Sequence, residues 1–324
     1  MAVQGTGWGM ARHSPSRAAN QRRFFPVLAS AAASVITGTA LVATRYVVPQ
    51  TDGLTVATLR YLVAAACLVP LVPIFFRFDV ALRDLIPIAI LGILYFCFFP
   101  WCISAAMQYT TASGGAIVLA CTPAMTLLLA NINGSEAWSV RKAAGVVSAI
   151  FGAAVAIIGT AGGVGPTTWV GDALMVLATL LGAVYAVFSK PYLAKYPPLV
   201  VTAVAMAAGA LALLALWTAA HGSAGAPRLD APGWAAILYI GIAGGALSFF
   251  LYAWALGRTA PTATMILLPL NPIAALVAGA LWLGEPLNAW LFVGLFLVVV
   301  GIVLVVNVHD DAAVEGAPPR AQGS

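Results

Sequence analysis

Apolar residues fall along the chain in ten long blocks: 24–44, 54–76, 85–106, 112–131, 143–161, 173–189, 199–220, 234–256, 260–281 and 287–307. Roughly 20 apolar residues cross a bilayer as a helix, so each block predicts one span. The breaks carry turn chemistry, at Pro49–Gly53, Arg77–Asp84, Gly162–Pro166, Pro197–Pro198, Gly222–Gly233 and Gly284–Pro286. Breaks after the third, eighth and ninth blocks are very short and imply tight antiparallel hairpins. The segments 1–23 and 308–324 are polar and rich in Gly, Pro and Ala, and are expected to be disordered cytoplasmic tails. The first block follows Arg12, Arg17, Arg22 and Arg23 as a signal peptide would. Its apolar run is longer than a signal needs, and nine more blocks follow, so it reads as a retained helix.

Composition narrows the class further. The chain is 62% hydrophobic and 8% charged, against about 25% charged in an average soluble domain. Mean hydropathy is +0.99. This excludes a soluble enzyme, a nucleic-acid binder and a disordered chain. The net charge of +5 comes from basic residues set singly or in pairs, not in a patch. With the N-terminus placed in the cytoplasm, Arg12, Arg17, Arg22, Arg23, Arg77, Arg83, Arg141, Lys142, Lys190, Lys195, Arg258 and Arg320 lie inside, and only Arg45 and Arg228 lie outside. That asymmetry is the positive-inside pattern. It predicts a cytoplasmic (bacterial inner) membrane location with both termini cytoplasmic. Cys67, Cys97, Cys102 and Cys121 all lie in apolar blocks without metal-ligand spacing and read as small apolar filler.

A shift of 149 residues superposes the two halves without a gap. Pro123 meets Pro272, Glu136 meets Glu285, Gly145 meets Gly294, Gly152 meets Gly301, Gly92 meets Gly241 and Thr110 meets Thr259. Two of the chain's three glutamates fall on each other. The halves, 24–161 and 173–307, hold five spans each. An odd number puts the second copy in upside down, so the expectation is an all-α membrane protein of ten transmembrane helices in two inverted-topology five-helix repeats. Such repeats build secondary transporters, with the substrate near the midplane between the copies.

At these residues the sequence resembles the EamA family of the drug/metabolite transporter superfamily. The resemblance rests on Thr122-Pro123 to Ser135-Glu136 with Gly145 and Gly152, on Asn271-Pro272 to Gly284-Glu285 with Gly294 and Gly301, and on Leu59-Arg60-Tyr61 in the second span. It covers about residues 24–307. It implies two tandem five-helix repeats and transport of a small metabolite, an amino acid or related compound, in the export direction.

The residues offer a short set of site candidates. Pro123 and Pro272 near the middles of spans 4 and 9 would bend those helices and free a carbonyl, as hinges or as static kinks. Thr122 and Asn271 precede them as polar groups at the midplane, facing substrate or bonding between helices. Arg60 is a charge within a span, by default a functional hypothesis: an anchor for a substrate carboxylate, or a side chain that snorkels to the interface. Glu136 and Glu285 stand before the fifth helix of each repeat, as caps of that helix or as proton-coupling groups. Tyr95, Trp101, Tyr185, Ser248, Tyr252 and Trp254 could meet cargo, with Tyr95 and Tyr185 deepest. The paired glycines read as packing faces, within the repeat or at a homodimer contact.

Partners expected from this pattern are the bilayer and a small-molecule substrate, with proton or exchange coupling, and no nucleic acid, cofactor or metal. An intramembrane enzyme lacks its base, zinc ligands or paired aspartates. A channel or scramblase shows no filter signature. Cationic drugs and nucleotide sugars stay open as other cargo classes. No Asp, Glu or His is expected to be buried within a span, which leaves Glu136 and Glu285 as the coupling candidates.

Overall fold

A computed structural model describes residues 17–71, 74, 80–134, 139–160, 168–222, 227–256 and 267–315. Among them there is helix but no strand. We number the helices α1 Arg17–Val47, α2 Gly53–Leu68, α3 Leu82–Ala106, α4 Ala112–Leu119, α5 Thr122–Ile132, α6 Val140–Thr160, α7 Thr168–Phe188, α8 Lys190–Lys195, α9 Pro198–His221, α10 residues 231–256, α11 Leu270–Leu283 and α12 Ala289–Glu315. Eight segments are long and apolar enough to cross a membrane, and Leu270–Leu283 and Ala289–Leu304 are shorter apolar helices at the places of the ninth and tenth expected spans. Helix α1 begins inside the expected N-terminal tail, and α12 runs past the expected end of the last span. Residues 1–16, 316–324 and Glu136 lie outside the described set.

Two departures from regular helix matter for the site. In the fourth span the chain breaks at Ala120–Cys121, and Pro123 stands in the first turn of α5. Pro272 likewise stands in the first turn of α11, after a turn over 267–269. The two prolines therefore start helices rather than kink continuous ones. A first-turn position is tolerated because its N–H has no helical acceptor. The second departure is a widened, π-helical stretch at Leu94–Phe98 in α3 and at Tyr239–Leu247 in α10. Leu94–Phe98 shifted by 149 falls on residues 243–247, inside the second stretch.

Packing repeats in the same register. Helices α3 and α9 pack together, as do their equivalents α10 and α2; α1 packs on α10, as its equivalent α7 does on α3. The closest pair is α6 with α12. There Ser148 Oγ donates to Leu297 O at 2.8 Å, a contact between residues 149 apart. A Cβ on Gly152 would lie 2.7 Å from Gly294 O, and one on Gly301 would lie 2.6 Å from Gly145 O. Contacts 152–294, 148–297 and 145–301 run in opposite senses along the two helices, which are therefore antiparallel. The glycine faces meet each other across the two halves of one chain. They are not within-repeat contacts and do not present a homodimer surface.

Polar ties sort the helix ends. At one end Arg45 donates to Met107 O, Tyr46 to Asp230 (3.1 Å), and Thr110 to Asp172 (3.2 Å), while His221 meets Asp52 at 3.1 Å. At the other end Asp84 holds Lys195 and, at 2.6 Å, Tyr196. This grouping is what successive spans alternating in direction require.

Candidate functional site

Helix α2 begins at Asp52, whose carboxylate accepts from the amides of Leu54 (2.8 Å) and Thr55 (3.0 Å) and from the Thr55 hydroxyl (2.5 Å). Burial alone would raise the Asp52 pKa; the donors from Thr55, His221 and Leu54 outweigh it and hold it below the usual carboxylate range. With that cap fixed, the second turn of α2 carries Arg60 into the bundle. Arg60 is 8% exposed, so it does not snorkel out of the protein. Its Nη2 stands 3.5 Å from Gly244 O, at the edge of hydrogen-bond range, and its guanidinium lies 5.3 Å from the Tyr61 ring centre. Its Nε has no partner among the described residues. Gly241, Gly244 and Gly245 of the widened stretch in α10 give α2 this close approach: a Cβ on Gly241 would lie 3.0 Å from Arg60 O, and one on Gly245 would lie 2.6 Å from Ala64 Cβ. Ser248 spends its hydroxyl on the same Gly244 carbonyl, at 2.7 Å.

The other widened stretch brings Tyr95 and Phe96 inward. Tyr95 stacks on Tyr185 of α7 (4.3 Å between ring centres, 14° between planes) and on Phe99 (4.8 Å, 26°). Phe96 sits edge-on to Tyr95, Tyr61 and Tyr185, and tilted against Phe249 of α10. Arg60 and Tyr252 are within electrostatic reach of Tyr95. Thr122 borders the stack, since its Cγ2 and Phe99 are the nearest atoms to a Cβ on Gly182, one turn from Tyr185. Its hydroxyl donates to Leu119 O at 2.6 Å, across the break between α4 and α5. Arg60, Tyr95, Tyr185 and Thr122 thus gather around one aromatic cluster. Asn271 lies against α1 instead, its backbone carbonyl 2.2 Å from where a Cβ of Gly38 would be. Trp101 is exposed and meets Phe98 in a T-shaped contact, 6.5 Å between ring centres.

Glu285 takes a place the sequence did not suggest. It accepts from Ala112 N (2.7 Å), Ser113 N (3.1 Å) and Ser113 Oγ (2.6 Å). It therefore caps α4, in the other half of the chain, rather than the helix that follows it. The donors lie 173 and 172 residues away, beyond any local capping pattern. The expectation that no acid is buried within a span also needs correcting, because Asp172 in the first turns of α7 is 8% exposed. It stands one residue outside the expected sixth span, so the span boundaries left it out. Tyr61, Phe96, Phe99 and Phe249 were missed as cluster members. The spacing of Tyr95 and Phe99, four apart on one helix face, was the available signal.

The sequence profile of the EamA-like transporter family matches residues 24–158 and 169–307. A protein named "Probable terminal-alkyne amino-acid exporter" from Streptantibioticus cattleyicolor is 32% identical over 227 residues, 69% of this chain and 73% of that one. An uncharacterized transporter of Archaeoglobus fulgidus is 25% identical over 270 residues, 83% of this chain and 94% of its own. A solved crystal structure at 17% identity shares the fold, with a TM-score of 0.64 over 89% of this chain and 98% of that one.

Proposed function

The chain belongs to the EamA-like transporter family, and from that premise we propose that it exports a small amino acid or related carboxylate across the cytoplasmic membrane. It is a carrier and not an enzyme. Its two halves are inverted five-helix repeats that exchange conformations to open the site alternately to each side. Support for the inversion comes from the antiparallel α6–α12 pair and its contact between residues 148 and 297. The relative named as an amino-acid exporter supports the cargo class.

One observation carries the reading of the site. Arg60 is an enclosed cation with an orphaned Nε and no carboxylate partner among the described residues. An unpaired charge in a low-dielectric interior is costly, and an incoming carboxylate removes that cost through charge-assisted hydrogen bonds. The aromatic cluster beside it offers ring faces to an apolar side chain. Asn271 and Thr122, at equivalent positions in the two halves, are carried as polar contacts at the helix breaks, and Pro123 and Pro272 as the hinges that hold those breaks. Glu285 is a structural cap in this reading. Both termini lie in the cytoplasm.

The test is thermal stabilisation of the purified protein by a metabolite panel, since a ligand that binds the native state raises its apparent stability. Amino acids should stabilise the wild type and leave Arg60→Gln unmoved. A shift from cationic drugs or nucleotide sugars alone would overturn the cargo class and leave the carrier reading standing.

A further inference from the structure

Asp172 lies in the first turns of α7 and is enclosed by protein to all but 8% of its surface. The hydroxyl of Thr110, just past the end of α3, lies 3.2 Å from its Oδ1 and is its one hydrogen-bond partner among the described residues. Thr110 is itself wholly buried. The two segments meet closely there: a Cβ on Gly171 would lie 2.9 Å from Tyr109 Cβ and 3.1 Å from Ala106 O.

The charged and titratable groups around this contact are few. The described helices packed on α7 are α3, α4, α5 and α8. From α3 and the turn after it come Tyr109 and, farther along, Cys102, Cys97 and Tyr95, with Arg83 and Asp84 at the far end of the bundle, where Asp84 is held by Lys195 and Tyr196; α4 and α5 carry none. Lys190, Tyr192 and Lys195 of α8 are at the far end of the bundle, some 18 residues or roughly 27 Å along the helix at 1.5 Å per residue. Arg45 reaches the same end as Asp172, but its guanidinium is taken by Met107 O, and the acid acting on it is Glu285.

Glu285 and Asp172 differ in kind. Three donors satisfy the Glu285 carboxylate. Asp172 has one, and that donor is a hydroxyl that can turn. With a proton on the carboxyl, the Asp172 O–H donates to Thr110 Oγ1 and the enclosed charge is gone. Without it, Thr110 must donate and a carboxylate stays shut in protein, which is costly.

We propose that Asp172 is a proton-binding site that locks the start of α7 against the end of α3, so that this end of the bundle closes by taking up a proton and opens by releasing it. The proton comes from and returns to the water at this end, which the lysine and arginine pattern assigns to the outside. No proton crosses the membrane by this route. The closed end holds one more proton than the open end, so acid outside favours closure. Helix α7 also carries Tyr185, so the lock acts on one wall of the aromatic cluster. The functional meaning of the lock rests on the carrier reading; the proton site does not.

Infrared difference spectra of the purified protein, taken across neutral pH, test the site directly. A carboxylic C=O band that disappears as pH rises should be present in the wild type and in Glu285→Gln and absent from Asp172→Asn. Asp172→Glu should keep it at a shifted frequency, which serves if the Asn variant does not fold. A wild type without the band, or Asp172→Asn with an unchanged one, overturns the proposal. In vesicles, exchange of an amino acid should rise several-fold as outside pH is raised in the wild type and be flat in Asp172→Asn. Absence of exchange would refute the carrier reading alone, because the infrared band decides the proton site independently.

Discussion

Adding one methyl group at the α6–α12 contact is expected to cost the same at either of two positions 149 residues apart. In Gly152→Ala the new Cβ would stand 2.7 Å from Gly294 O, 2.8 Å from Val298 N and 2.9 Å from Leu297 Cβ. In Gly301→Ala it would stand 2.6 Å from Gly145 O, 2.8 Å from Ala149 N and 2.9 Å from Ala149 Cβ. The nearest obstacles are backbone atoms, so no side chain can turn away. The helices must part by several tenths of an ångström, and a gap of about 0.5–1 Å forfeits roughly a quarter to a half of a dispersion contact. Overpacking of this kind costs about 1–3 kcal/mol, and the better helix propensity of Ala returns up to about 1 kcal/mol. At the middle of those two ranges the net is about 1.5 kcal/mol for each variant. The shift is roughly 2–4 °C per kcal/mol for 150–250 residues and shrinks with length, so in this chain of 324 residues each variant loses a few degrees at most in thermal unfolding followed by tryptophan fluorescence. Gly152→Ala combined with Gly294→Ala should cost less than the sum, because one separation relieves both. A neutral result at both positions would refute the close contact, and a large loss at one with none at the other would refute the twofold relation.

Arg60→Leu should leave stability without cargo unchanged or raised, because it removes an enclosed charge that no carboxylate pairs; a large loss of melting temperature would show that its contacts with Gly244 O and the Tyr61 ring outweigh the cost of that charge. Glu285→Gln weakens charge-assisted hydrogen bonds to Ala112 and Ser113, worth about 1.5–3 kcal/mol, and should speed amide hydrogen exchange at the start of α4; unchanged exchange would refute the cap. Asp52 is held below its ordinary range, so its contribution is complete above that range and is lost as pH falls through the lowered value. Asp52→Asn should flatten the acid limb of a stability-against-pH curve, and an unaltered limb would contradict the cap and the His221 contact. Tyr185→Ala removes a stacked ring from Tyr95 and should cost about 0.5–1.5 kcal/mol beyond the lost area, read as a lower melting temperature; no loss would mean the rings do not stack.

Eight of the spans were legible as long apolar helices because lipid imposes length and apolarity on each, and the repeat was legible because Pro, Glu and Gly are rare or fixed enough to stand in register. Pro123 shows the limit. Its place was clear, but a proline can kink a helix or start one, and only the break at Ala120–Cys121 decides between them. The widened stretches in α3 and α10 leave no compositional mark, because an extra residue in an apolar turn is still apolar. Without them the inward turn of Phe96 and the close approach of Arg60 to Gly244 could not be read. Glu285 was read as a local cap or a coupling group because its donors are distant in sequence. Asp172 was passed over because the expected span boundaries left it out, and only the chain past α3 encloses it.

Counterflow in proteoliposomes tests the central claim most directly. Vesicles holding the wild-type protein and loaded with an unlabelled amino acid should transiently accumulate the labelled one from outside, and Arg60→Gln vesicles should not. Accumulation that survives in Arg60→Gln would contradict the carboxylate anchor. Labelled amino acid that merely equilibrates, with no overshoot and no saturation, would contradict the carrier itself.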